Sequence, residues 1–405
     1  MNVFIIPSWY PSQQHQLPGR FFRDQAKMYA NQFPEDRIGI GHWGSHDDRL
    51  LLEMKKIHLW PKKLRQGQSL SSYSKALGPN LTEHFSPAFT WSRRFLKGNI
   101  RGITEAVRTS LGQFEKDYEK PDLLHAHVGY PGGYVARMLS KQLGLPYIIS
   151  EHMGPFPFPA FLNGKTVSSH LLGPLKGATK VLAVSKNLQQ ELGRQGVESE
   201  LFHNFIDEEF FIPSVDKRNQ KFTLLHLGRL EPEKDQLTLI RSIADVEKLD
   251  LELIIAGEGS LRNKLVHETE TLGLKSKVFF LGEVDAQQAR RLIAQCNVFV
   301  LSSRYENFPV SIMEALASGK PVIATTCGGS SEMLREGNGI LVPPGDIHAF
   351  AKAIHFMYSN HQQFSSIQIR EDFIARFGKD RALEQLRDHY LDVLRIWESG
   401  SRPNG

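Results

Sequence analysis

Apolar residues in this chain come in short unbroken runs, separated by longer stretches where they recur every three or four positions. In the first half the runs are V-F-I-I-P (3–7), R-I-G-I-G (37–41), D-L-L-H-A-H (122–127), Y-I-I-S (147–150) and K-V-L-A-V-S (180–185). In the second half F-T-L-L-H-L-G (222–228), L-E-L-I-I-A-G (251–257), K-V-F-F-L-G (277–282), V-F-V-L-S-S (298–303) and P-V-I-A-T-T (321–326) repeat the rhythm. Runs this short and rich in β-branched residues predict buried strands; the periodic stretches between them, such as F-F-R-D-Q-A-K-M-Y-A (21–30) and L-T-L-I-R-S-I (237–243), predict helices. Strand, helix, strand at this spacing predicts an α/β fold of two Rossmann-like, doubly wound parallel-sheet domains. The expected organisation is a domain over 1–205, a second over 206–378, and a C-terminal helix over 379–405 that returns to the first. An apolar stripe at Leu383, Leu386, Tyr390, Leu394 and Trp397 gives that helix a face to dock.

Composition narrows the class without identifying the chemistry. The 405 residues are 40% hydrophobic and 23% charged, which suits a soluble globular protein of two domains. M-N-V-F-I-I-P at the start has no basic leader, and no apolar run reaches the ~20 residues of a membrane span, so a cytoplasmic location is expected. Two cysteines, Cys296 and Cys327, provide neither a disulfide framework nor a metal cluster.

Charge is unevenly placed. Residues 1–206 carry 25 Lys+Arg against 16 Asp+Glu, whereas residues 207–405 carry 24 against 28. Cations alternate with large apolar side chains in M-K-K-I-H-L-W-P-K-K-L-R (54–65) and W-S-R-R-F-L-K-G-N-I-R (91–101). That alternation suits an anionic membrane leaflet or a phosphorylated substrate, and equally a solvated face. No recognition module accompanies the charge, so nucleic acid is not an expected partner.

In doubly wound sheets ligands bind beyond the carboxyl ends of the strands, so candidate chemistry belongs just after each run. After 298–303 comes R-Y-E-N-F-P-V-S-I-M-E-A-L-A-S-G-K-P, where Pro309 opens a helix and Gly319 closes it. Glu306 then lies in the strand-to-helix loop and Glu314 in the second helical turn. Two such carboxylates can accept hydrogen bonds from ligand hydroxyls, beside an anion site at the helix N-terminus. After 222–228, Arg229 and Lys234 suit a diphosphate, and Gly228 is expected to permit close backbone approach. I-A-G-E-G-S-L-R lacks the third glycine of a dinucleotide fingerprint, having Arg262 there, which argues against an oxidoreductase.

Together G-R-L-E-P-E-K-D, I-I-A-G-E-G-S-L, V-F-F-L-G-E-V and S-S-R-Y-E-N-F-P-V-S-I-M-E-A-L-A-S-G-K-P-V-I-A-T resemble the C-terminal domain of the retaining glycosyltransferases of family 4, over about residues 202–345. The resemblance implies the GT-B fold, with two domains facing across a cleft. It also implies transfer of a sugar from a nucleotide diphosphate donor, UDP- or GDP-linked, which is a substrate and not a cofactor. Arg229 and Lys234 would hold the diphosphate, Glu306 the transferred sugar and Glu314 the ribose. The backbone of Asn307, Phe308 and Pro309 would line the pocket, and that of Leu281–Val284 would meet the base. In the first half, P-S-W-Y-P-S-Q-Q-H-Q-L-P-G-R-F-F is similar to the family's first loop, Gly19 being its matching glycine where many members have two. D-L-L-H-A-H-V-G-Y-P-G-G-Y maps His127 onto the active-site histidine; a metal pair of His125 and His127 is the other reading, without a third ligand at suitable spacing. His152, in S-E-H-M-G, is a candidate for the acceptor site or for a core role. Phe205 replaces the commoner glycine of the linker, which implies a stiffer hinge.

The expected acceptor is a glycan, a lipid-linked intermediate or another hydroxyl compound, in polysaccharide or glycoconjugate biosynthesis. The implied mechanism is metal-independent front-face displacement. A sugar-nucleotide epimerase of the same fold and a non-catalytic nucleotide-sugar binding protein are the competing readings.

Overall fold

Each of the ten apolar runs forms a strand in the computed structural model, which describes residues 1–92, 98–213 and 221–400. The chain divides into two units. The first comprises Met1–Val184, Gln189–Phe202 and the chain from Leu383; the second comprises Ser185–Leu188 and His203–Ala382.

The first unit is built on an eight-stranded sheet. Its strands are β1 (Asn2–Pro7), β2 (Arg37–His42), β3 (Tyr73–Gly78), β4 (Leu81–Phe85), β5 (Leu123–His127), β6 (Tyr147–Glu151), β7 (Lys180–Ala183) and β8 (Glu200–Leu201). Their spatial order is β8-β7-β6-β5-β1-β2-β4-β3. All pairings are parallel except that of β3 with β4. β1, β5 and β6 are almost wholly buried, as strands covered on both faces must be. Helix α1 (Arg20–Gln32) buries Phe22, Ala26 and Tyr29, and α2 (Ile100–Asp117) lies so close to the sheet that a Cβ at Gly39 would meet the Phe114 ring at 2.4 Å.

The second unit has a six-stranded, wholly parallel sheet. It consists of β9 (Phe222–Leu227), β10 (Leu251–Ala256), β11 (Val278–Gly282), β12 (Val298–Leu301), β13 (Val322–Thr325) and β14 (Gly339–Val342), in the order β11-β10-β9-β12-β13-β14. Leu224, Leu253, Ile255, Val300 and Ile323 pack with Leu239 and Ile243 of α3 (Gln236–Asp245) and with Phe350 and Ile354. The turn-rich part of this unit carries α4 (Val310–Ala317), whose Ile312, Met313, Ala315, Leu316 and Ala317 are buried.

The last helix, α5 (Lys379–Glu398), starts in the second unit and is counted with the first from Leu383 onward. Its buried stripe is Leu383, Leu386, Tyr390 and Val393. Leu394 and Trp397 are half-buried, so the expected stripe is corrected at those positions: a 3.6-residue period carries the core face from Tyr390 to Val393. The Tyr390 hydroxyl lies 2.7 Å from His125 Nδ1, and His125 Nε2 lies 2.8 Å from Ser150 Oγ. Arg387 adds an ion pair to Glu35 at 2.6 Å.

No helix among the described residues is long and apolar enough to cross a membrane. The first basic segment forms a 3₁₀ stretch, Met54–Leu59, followed by a short helix, Trp60–Gln68. Of the second, residues 93–97 lie outside the described residues.

Tyr390→Phe leaves a buried imidazole nitrogen without its partner, at an expected cost of about 1–3 kcal/mol. Urea unfolding of the two proteins, compared at constant m-value, checks it.

Candidate functional site

Within each sheet, one pair of neighbouring strands sends its connections away in opposite directions. In the second unit that pair is β9 and β12; in the first it is β1 and β5. Such switch points leave a crevice beyond the carboxyl ends of the strands. The candidate residues cluster there, in one group per unit.

In the second unit Lys234 and Glu306 come together directly. Lys234 Nζ lies 2.6 Å from Glu306 Oε1, the two side chains being 19% and 10% exposed. Ser303 Oγ donates to the same carboxylate oxygen at 2.7 Å, so Glu306 is held from both sides. Lys234 is placed by its own backbone, because Ser302 Oγ donates to its carbonyl at 3.0 Å and Asp235 adopts the left-handed region, φ 46°. Arg229 is differently placed. Its side chain is 73% exposed and pairs with Glu233 at 2.9 Å, so each cation of the expected clamp is matched to a carboxylate.

Asn307, Phe308 and Pro309 are buried around Glu306. The Phe308 ring stacks on His203 at 4.7 Å, and Asn204 Nδ2 donates to the Phe308 carbonyl at 3.2 Å. The loop after β13 closes over this segment: Gly329 N donates to the Asn307 carbonyl at 2.7 Å, and a Cβ at Gly328, φ +47°, would fall 1.7 Å from the Glu306 carbonyl oxygen. Only glycine fits there. Pro309 is the N-cap residue of α4 and Val310 begins the helix, one residue later than expected. Gly319, φ +66°, ends it as expected, and Glu314 lies half-buried in its second turn.

Close approach between backbones within the protein occurs at Gly257 and Gly259, while the space before Gly228 is open. A Cβ at Gly228 would meet nothing nearer than 3.4 Å, whereas one at Gly257 would sit 2.0 Å from the Gly228 carbonyl and one at Gly259 2.4 Å from that of Leu230. The glycines of I-A-G-E-G therefore let two strand-exit loops stack, and Gly228 keeps open space before it.

In the first unit Gly19 takes φ +72° at the N-cap of α1, where a Cβ would lie 2.2 Å from the Trp9 carbonyl. That contact seats the first loop on the exit of β1 and brings Phe22 against His127, ring to ring at 4.4 Å and 23°. His127, at the end of β5, is buried, and its Nδ1 lies 3.2 Å from His152 Nε2 at the exit of β6. Burial, with His125 and His152 nearby, holds the His127 imidazolium well below the usual range, so the ring is neutral at pH 7. Burial likewise pushes His125 down to about 3. Both nitrogens of His125 are taken by hydroxyls, Tyr390 at 2.7 Å and Ser150 at 2.8 Å. Among the described residues no group of three or more His, Cys, Asp or Glu could hold a metal ion.

The family model described as "Glycosyl transferases group 1" matches residues 207–376, and that described as "Glycosyltransferase Family 4" matches residues 72–210. TuaC of Bacillus subtilis, a putative teichuronic acid biosynthesis glycosyltransferase, is 26% identical over 415 residues, spanning 97% of this chain and 99% of its own. Among solved structures, sucrose-phosphate synthase from Thermosynechococcus elongatus matches with a TM-score of 0.76 at 18% identity, covering 98% of this chain and 99% of that one. HepE of Anabaena, solved in complex with UDP, matches with a TM-score of 0.69 at 20% identity, covering 96% and 99%. The fold is GT-B.

One buried group beside His127 has no signal in the sequence. Glu151, fully buried at the end of β6, accepts three backbone N–H bonds, from Gly129 at 2.8 Å, His152 at 2.9 Å and Met153 at 2.7 Å. A glutamate closing a strand is unexceptional in sequence, and its partners here are amides, which residue identity does not report. Burial raises its carboxyl from 4.5 to about 7, against the opposing pull of those amides. A raised value means that the folded chain binds the proton more tightly than the unfolded chain does. The stabilisation is therefore full below about pH 4.5 and is lost as the pH rises through about 7. Glu151→Gln removes this dependence. Between pH 4.5 and pH 8 the stability of the wild type relative to the variant should fall by roughly 3 kcal/mol, read from denaturant unfolding across that range.

Proposed function

The chain belongs to the glycosyltransferases of family 4, and we propose that it moves a sugar from a UDP- or GDP-sugar to a hydroxyl of a glycan or lipid-linked acceptor, with retention at the anomeric carbon. The observation that carries this reading is the Lys234–Glu306 pair at the β9/β12 switch point, beside the N-terminus of α4. A diphosphate arriving there competes for the Lys234 ammonium. Glu306, released from the cation, is then an acceptor for sugar hydroxyls, with Ser303 still orienting it. The relative named for teichuronic acid biosynthesis and the fold neighbour solved with UDP support a polysaccharide product and a uridine donor.

In the proposed step the bond from the anomeric carbon to the diphosphate oxygen breaks, and the bond to the acceptor oxygen forms on the same face. The acceptor proton passes to the departing diphosphate. Lys234, Arg229 and the amides at the start of α4 stabilise the charge that develops on the leaving group, the kind of preorganised electrostatic contribution that dominates phosphate departure. His127, neutral and buried, orients the sugar or the acceptor, and Glu314 meets the ribose. No divalent ion is needed for this arrangement, so activity should persist in EDTA.

Acceptor delivery at a membrane surface belongs to the same proposal. Met54, Ile57 and Leu64 are 54%, 58% and 36% exposed, and Lys55, Lys56, Lys62 and Arg65 are exposed beside them. Trp60 and Lys63 turn the other way, onto the Glu53 carbonyl at 3.0 Å and the Leu51 carbonyl at 2.8 Å. Apolar tips among cations, on a segment anchored by its opposite face, suit insertion into an anionic leaflet. Co-sedimentation with phosphatidylglycerol vesicles should fall several-fold for Met54→Ser/Ile57→Ser, and neutral phosphatidylcholine vesicles should bind neither protein. Equal binding to both lipids would sink the membrane arm.

The clamp is tested with the ion pair in mind. Lys234→Ala strands a nearly buried carboxylate and so weakens folding as well as chemistry. Lys234→Ala/Glu306→Gln avoids the stranded charge. Glu306→Gln should reduce turnover by on the order of a hundredfold without weakening nucleoside diphosphate binding, since it frees Lys234; the double variant should lose nucleoside diphosphate affinity too. Calorimetric titration with UDP and GDP, beside turnover of the matching donor sugars, separates these outcomes. An inverted product, or activity abolished by EDTA and restored by magnesium, would overturn the mechanism.

A further inference from the structure

We infer that His152 and Glu151 form a positioning unit for His127: His152 sets which ring nitrogen of His127 carries its proton, and Glu151 fixes the two strand exits that bring the rings together. The inference rests on the placement of His127 in the active site proposed above.

The ring of His127 is clamped between Phe22 and His125, both at 4.4 Å between centroids, so it is not free to turn. Its Nδ1 meets His152 Nε2 at 3.2 Å. At that distance the two ring nitrogens share one hydrogen. Two hydrogens would collide, and none would set two lone pairs face to face. Whichever nitrogen holds the shared hydrogen decides the state of the remote nitrogen of His127. When His152 donates, His127 presents an N–H from Nε2; when His152 accepts, it presents a lone pair. His125 cannot take over this task, since Tyr390 and Ser150 occupy both its nitrogens.

The geometry of the pair depends on the backbone behind it. Val128, the residue after His127, is held at φ +72°, a conformation a β-branched side chain adopts only under constraint. The constraint is visible on either side of it. Val128 N donates to the Ser150 carbonyl at 2.8 Å, and the next amide, Gly129 N, donates to Glu151 Oε2 at 2.8 Å. Glu151 Oε1 accepts from the amides of His152 and Met153 at 2.9 Å and 2.7 Å. One carboxylate thus bridges the exit of β5 to the exit of β6, with a histidine of the pair on each. Phe21 and Phe22 meet the His152 ring edge to face, at 6.0 Å and 5.1 Å, and keep it directed at His127.

His152→Phe keeps a ring and removes both nitrogens. With it, kcat should fall by about tenfold to a hundredfold, as for other groups that orient a functional imidazole, while the UDP or GDP Kd stays within twofold. His152→Gln, whose amide can donate or accept, should recover part of the loss. In ¹⁵N-histidine spectra the ring of His127 should show one tautomer in the wild type and a mixture or the opposite tautomer in His152→Phe. Glu151→Gln should move the same signals. An unchanged His127 tautomer in His152→Phe, or a turnover equal to wild type, would overturn the proposal. If no nucleoside diphosphate binds the wild type, the proposed reaction fails, while the tautomer spectra still decide the role of His152.

Discussion

A parallel sheet covered on both faces leaves its polar side chains one place to meet a ligand, the ends of its strands. Strands β1, β5, β9 and β12 are buried along almost their whole length, mostly by apolar contacts. Polar groups inside the sheets are paired within the protein, as His125 is with Tyr390 and Ser150, and those left for a ligand lie where the chain leaves the sheet. At β9/β12 and β1/β5 successive connections depart in opposite directions, so the gap between them is not roofed by a crossover. Lys234 and Glu306 occupy one such gap; Gly19, His127 and His152 occupy the other. The chemistry is local because the topology permits it nowhere else on the sheet edges.

The same constraint explains what could be read from residue order. Apolar runs announced their strands because both faces demand apolar residues, Glu306 and Lys234 stood out as polar residues following such runs, and His127 was marked by the family resemblance alone. The strands that went unread break that pattern. Tyr73–Gly78 is an exposed edge strand, and Leu81–Phe85 carries Glu83 and His84 inward, Glu83 being matched by the Tyr10 hydroxyl at 2.7 Å. Buried polar residues with buried partners look, in sequence, like a surface loop. Gly339–Val342 is merely short. Glu151 and Gly328 escaped notice for another reason: their partners are main-chain atoms, common to every residue. Pairing of Lys234 with Glu306 was likewise illegible, since each residue taken alone suggested a different part of a ligand.

That pairing alters the energetics of the ligand-free site. A buried carboxylate and a buried ammonium apart would each carry a desolvation penalty, and together they relieve one another only through good geometry, here a 2.6 Å contact supported by Ser303. The site is therefore self-neutralised before any substrate arrives. In the proposed reaction a diphosphate would exchange one ion pair for another instead of meeting naked charge, which would moderate its affinity and leave more of the interaction to develop as the leaving group gains charge.

The return of α5 gives separation along the chain a structural meaning. The socket that receives Tyr390, formed by His125 and Ser150, is specified before residue 151, but its occupant lies 265 residues beyond His125. The intervening stretch can complete its own sheet and core while the earlier sheet waits with a polar hole in its interior. Until α5 docks, His125 lacks one of its two hydrogen-bond partners, so closure of the first sheet's interior is a long-range event that the strands around it cannot complete by themselves.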